Sequence, residues 1–160
     1  MKLRDKRGIA AVEFALVLPV FVFLIFAVID FGWYFFVQHT IQYATREGVR
    51  LALVGRTLTD DKGNAMTREA SIIKTIKDNA SLAVDPKDLN ISIFPVSSDS
   101  GYGDPEHWDE TQNAGEPGAI MRVRTRYTYH LLTPLIGYFF SGGKIPVQAE
   151  ATYKNEQFSP

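Results

Sequence analysis

Residues 9–29 are apolar at nearly every position, Glu13 being the one charge among them, and a basic segment of eight residues stands in front. About 20 apolar residues is the length a helix needs to cross a hydrocarbon layer of ~30 Å. Beyond Val37 the apolar residues thin out to helical spacing, at Ile41, Ala44, Gly48, Leu51 and Ala52, while Gln42, Arg46 and Arg50 fall on other faces. The pattern predicts one helix from Ile9 to about Val54, membrane-spanning over residues 9–37 and amphipathic over residues 38–55. Some 46 residues at 1.5 Å each rise ~69 Å, so half of that helix must stand outside a bilayer. Gly55 offers a stop, and Pro19 is expected to kink the membrane portion.

The remainder, residues 56–160, alternates turn formers with short periodic segments. Asp60, Asp61, Lys62, Gly63 and Asn64 mark a loop. Met66, Ala70, Ile73, Ile76 and Ala80 recur at three and four residues and predict a second amphipathic helix ending near Ala83 and Pro86. Leu89, Ile91 and Ile93 alternate with polar residues before Pro95, and residues 121–131 and 145–153 alternate more clearly. The fold class is therefore α+β: a long N-terminal transmembrane helix continuing into a domain with a second helix and a small antiparallel sheet of about three strands. In the second strand Met121, Val123, Tyr127, Tyr129 and Leu131 point one way, and Arg122, Arg124, Arg126 and His130 the other. Residues 131–140 form an unusually apolar connection between strands, expected to close the core in preference to making a surface contact.

Charge places this architecture across a membrane. Lys2, Arg4, Lys6 and Arg7 precede the apolar run and no comparable basic cluster follows it, so the N-terminus is expected in the cytoplasm and the domain outside it. A secretory signal would have a shorter apolar core followed by small residues, whereas this run leads into Asp30 and the aromatic residues 33–36. The formal net charge of −1 gives no positive field for nucleic acid. The chain has no cysteine, which excludes disulfides and thiolate chemistry. It also has no phosphate loop, nucleophile elbow or zinc motif, so neither an enzyme activity nor a cofactor is expected.

Glu13 needs a reason, because an acid inside a membrane helix costs roughly 2.5–3.5 kcal/mol on insertion scales. It snorkels to the nearby interface, is protonated, or meets a cation. Residues 7–19, running Arg-Gly-Ile-Ala-Ala-Val-Glu-Phe-Ala-Leu-Val-Leu-Pro, resemble the N-terminus of TadE-like pseudopilins of tight-adherence (Flp, type IVc) pilus systems, and residues 44–50 are similar to a second family segment, departing from it at Val49. The resemblance implies a leader over residues 1–8 removed by a prepilin peptidase between Gly8 and Ile9, with Glu13 and Phe14 as the fifth and sixth mature residues, serving assembly. It implies a periplasmic domain over residues 56–160 and a location in the bacterial inner membrane. The implied partners are other pilin-like subunits, the assembly platform and the lipid bilayer. Small residues such as Ala10, Ala11, Ala15 and Ala27 would let helices approach closely in lipid.

Two other groups are candidates for recognition. Arg122, Arg124 and Arg126 form a row that could meet an anionic partner, although such a row more often pairs with acids across the sheet, here Glu150 and Glu156 on the third strand. Asp99, Asp104, Glu106 and Asp109 crowd carboxylates into one loop, a weak calcium candidate without the spacing of a helix-loop-helix site. His39, His107 and His130 are too scattered for a metal triad. A functional alternative follows: an uncleaved, single-pass anchored module that binds a ligand or partner through these groups.

Overall fold

A computed structural model describes residues 6–157. Its main elements are α1 (Lys6–Leu53), α2 (Arg68–Ala80), β1 (Asn90–Pro95), β2 (Ile120–His130), the short α3 (Pro134–Gly137) and β3 (Lys144–Lys154). The strands form an antiparallel sheet in the order β1-β2-β3. The α+β reading with one long apolar helix, a second helix and three strands is thus what the chain adopts. Of the expected leader, residues 1–5 lie outside the described residues, and residues 6–8 already belong to α1. Lysine and arginine are good helix formers, so the helix starts before the expected Ile9. It continues through Pro19.

The chain divides into two compact units, one of residues through Phe35 with His130–Ile145, the other of Phe36–Tyr129 with residues from Pro146 onward. In the first, α1 leaves most of its large apolar side chains between Ile9 and Phe35 exposed, and it is long and apolar enough to cross a membrane. The apolar connection at residues 131–140 belongs to this unit. Its expected role in core closure does not hold. Ile136 is buried, but Leu132, Leu135, Tyr138 and Phe139 are exposed. The rings of Phe139 and Phe140 meet those of Phe23 and Phe31 on α1 edge to face, each pair 6.2 Å apart.

The second unit encloses a conventional core. Val37, Ile41, Ala44, Thr45, Gly48 and Ala52 form the buried stripe of α1 at helical spacing. Gly48 lets α2 approach closely, since a Cβ there would lie 2.5 Å from Ile76 Cγ1. The helix ends at Leu53, and Gly55 follows with φ +66°, the left-handed conformation that suits glycine past a helix end. Thr67 caps α2 by accepting the Ala70 N–H.

The buried face of α2 is Ser71, Ile72, Ile76 and Ala80. The expected face contained Ile73, which is only half-buried. Ile72 replaces it because Ser71 is drawn inward as well, its hydroxyl accepting the Leu58 N–H. Burying Ile72 and Ile76 contributes about 1.5–3 kcal/mol each. The helix also stops at Ala80, short of the expected Ala83, where the Ser81 and Val84 N–H groups turn back to Lys77 and Ala80 carbonyls.

β1 and β2 pair with Asn90 opposite Arg126, Ser92 opposite Arg124 and Phe94 opposite Arg122. Thr125 is fully buried at the centre of β2, where its hydroxyl accepts the Thr45 Oγ1 hydrogen at 2.9 Å and so ties the sheet to α1. Asn155 gathers the chain end: its side-chain N–H groups go to the Ala114 and Glu116 carbonyls, and its Oδ1 accepts from Arg68. Arg68 also donates to the carbonyl of Ala52 at the end of α1, where a cation suits the helix dipole.

Candidate functional site

The residues expected to serve processing and assembly stand on the exposed start of α1. A Cβ on Gly8 would meet nothing within 4 Å, so packing makes no demand for glycine there. Ile9, Glu13 and Phe14 are all exposed. Ile9 and Glu13 are one helical turn apart on nearly the same face, about 6 Å along the axis. Glu13 makes no ion pair with another described side chain.

A second acid on this helix, missed in the sequence pattern, has the opposite environment. Asp30 is fully buried. Its Oδ1 accepts the Leu132 N–H at 2.6 Å and its Oδ2 the Thr133 N–H at 3.1 Å. Two backbone donors on one carboxylate supply part of the solvation that burial removes. The available signal was an acid at the point where the apolar run ends. Its donors, about a hundred residues further along the chain, could not be inferred from periodicity.

The arginine row is drawn together on the second unit's sheet. Arg122 Nη1 reaches Asp104 Oδ1 at 2.6 Å, and Arg124 reaches Asp104 Oδ2 at 2.8 Å and Glu150 Oε2 at 2.7 Å. Pairing with Glu150 follows the cross-strand expectation. Glu156 does not join, because β3 ends at Lys154 and the Glu156 N–H turns to the Leu53 carbonyl. Trp108 lies over both Arg124 and Arg126, their guanidinium carbons 4.2 and 4.7 Å from its ring centre, a cation–π stack. The hydrogen bonds from Arg124 and Arg122 hold the Asp104 carboxyl below the usual range.

The four carboxylates of the calcium candidate do not converge. Asp104 is committed to the arginines, and Asp99 sits in a one-turn segment, Ser98–Ser100. Glu106 lies 3.7 Å from His107, and the Asp109 carbonyl accepts the Ser92 hydroxyl. Among the described residues no three acidic or histidine side chains are grouped so as to hold a metal ion.

Residues 8–50 match the model of a family described as TadE-like protein. No curated protein and no solved structure matches the chain. The matched region begins at Gly8 and takes in Glu13, Phe14, Asp30 and the stripe that α1 contributes to the second core. It includes residues 44–50, where Gly48 meets Ile76. The matched stretch of α1 thus offers a surface of apolar side chains with one exposed carboxylate near its start.

Proposed function

We propose that this protein is a pseudopilin or minor pilin, anchored by α1 in the bacterial inner membrane, that joins other pilin-like subunits to initiate, cap or regulate a tight-adherence (type IVc) pilus or a related secretion machine. The observation that carries the reading is the TadE-like match starting at Gly8 on a helix whose apolar side chains face outward. An exposed apolar helix is solvated by lipid or by other apolar helices, and small residues along it favour the latter when subunits meet.

In this reading a prepilin peptidase cuts between Gly8 and Ile9. The new α-amino group of one subunit then meets Glu13 of its neighbour, which offsets the cost of placing that carboxylate in lipid. Repeated head-to-tail contacts of this kind build an open helical assembly. The open space around Gly8 supports a requirement set by the peptidase and not by the fold.

The test is the intact mass of the full chain extracted from membranes that contain the cognate peptidase. The expected species lacks residues 1–8, and Gly8→Arg keeps them. A native chain that retains Met1 when the peptidase is active rejects processing and leaves the uncleaved, anchored module.

A further inference from the structure

Residues 131–143 read Leu-Leu-Thr-Pro-Leu-Ile-Gly-Tyr-Phe-Phe-Ser-Gly-Gly and carry no charge, with His130 and Lys144 at their two ends. The neck of this hairpin is closed by the Leu131 N–H donating to the Gly143 carbonyl, and Asp30 holds the next two N–H groups. Leu132, Leu135, Tyr138 and Phe139 are 58%, 56%, 87% and 69% exposed. So large a share of exposed aromatic and aliphatic surface in one short hairpin marks a contact.

The placement along α1 says what covers it. Phe140 meets Phe31, and Phe139 meets Phe23. Eight residues of helix separate those two phenylalanines, about 12 Å of rise. The hairpin therefore runs from the level of Asp30 back toward the apolar middle of the helix. At these levels α1 itself exposes Leu24, Ile25, Phe26, Val28 and Ile29. If α1 spans the bilayer, those side chains face acyl chains, and the exposed face of the hairpin is continuous with them. The N–H groups of Gly137, Tyr138, Phe139, Phe140 and Gly143 donate to carbonyls inside the hairpin, which lowers the cost of bringing that part of its backbone near hydrocarbon.

We propose that residues 131–143 are a re-entrant membrane hairpin, embedded beside α1 in the leaflet distal to the N-terminus, with lipid acyl chains as the occupant of its apolar face. Asp30 is the latch that holds the entering strand of the hairpin to the helix. Lys144 and His130 stay at the headgroup level, and Tyr138 supplies an aromatic body with a polar tip, suited to partial immersion. The inference rests on α1 spanning a membrane. It does not depend on cleavage at Gly8 or on pilus assembly.

The absence of native cysteine permits a direct test. Single nitroxide labels at Leu135→Cys, Tyr138→Cys and Phe139→Cys, all exposed positions, are placed in the full chain. Each variant is reconstituted in phosphatidylethanolamine/phosphatidylglycerol vesicles at a low and a high protein-to-lipid ratio. Val20→Cys serves as the lipid reference and Ser98→Cys as the water reference. Collision rates with oxygen and with a water-soluble nickel chelate are measured. The expected result is a nickel collision rate several-fold below that of Ser98→Cys at all three positions, a raised oxygen rate, and no change between the two ratios. Nickel access equal to Ser98→Cys with Val20→Cys still protected overturns the hairpin alone. Protection that appears only at the high protein ratio also overturns it, because another copy of the chain is then the occupant. Water access at Val20→Cys overturns the spanning helix and the hairpin with it.

Discussion

Asp30 and Glu13 lie on one helix and differ in what surrounds them. The Asp30 carboxylate is buried against two N–H donors, and Glu13 is exposed without an ionic partner among the described side chains. Tyr153 shows the same physics in an uncharged group. Its hydroxyl is buried with no hydrogen-bond partner among the described residues, and burial pushes its pKa up to about 12. Between pH 10 and 12 the unfolded chain gives up this proton while the folded chain keeps it, so stability present below pH 10 falls as pH rises through that window. The raised value corresponds to about 2–3 kcal/mol lost by pH 12. Tyr153→Phe is expected to fold as well as the native chain at pH 7, since it removes an unsatisfied polar group. It should also lose less stability above pH 10. Urea titrations of the detergent-solubilised chain at pH 8 and pH 11 check this, and an unchanged alkaline loss in the variant rejects it.

At the scale of elements, the approach of α2 to α1 turns on the missing side chain at Gly48. Alanine there would gain about 1 kcal/mol of helix propensity. It would also press a methyl group against Ile76, which is fully buried and cannot swing aside into solvent. Overpacking of this kind costs about 1–3 kcal/mol. Gly48→Ala is expected to lower stability by about 1 kcal/mol net, read as a reduced urea midpoint. A variant as stable as the native chain would show that the helices adjust freely. The sheet has its own element-level logic: Arg124 is buried in β2 because Asp104, Glu150 and Trp108 complete its surroundings.

For the whole molecule, the decisive prediction concerns assembly. If Glu13 pairs with the amino terminus of a neighbouring processed subunit, Glu13→Gln keeps the size of the side chain and removes its charge. The variant is expected to insert and to be cut after Gly8, yet to recover pilin-like subunits poorly on co-purification and to fail in piliation. Full partner recovery would count against the pairing and would favour a carboxylate that reaches the membrane interface by itself. Because the cut and the pairing are read separately, by mass and by co-purification, loss of one does not obscure the other.

Elements whose reasons are local could be read directly from the chain. The long apolar helix follows from composition alone, the stop near Gly55 from backbone freedom, and the alternation in β2 from the pleat. Pairing of Arg124 with Glu150 was legible because adjacent strands bring same-face residues together. Tertiary structure alone decided the remainder. Asp104 reaches the arginines from a loop whose path no periodicity encodes, which withdraws it from the calcium candidate. Ile72 faces inward in place of Ile73 because the helix rotates to satisfy Ser71 as well as the apolar stripe. The apolar hairpin packs Phe139 and Phe140 against Phe23 and Phe31 of α1, held at Asp30 by N–H groups of Leu132 and Thr133. Hydropathy states that such residues avoid water, but whether they find a protein core or lipid depends on long-range contacts that only the folded chain makes.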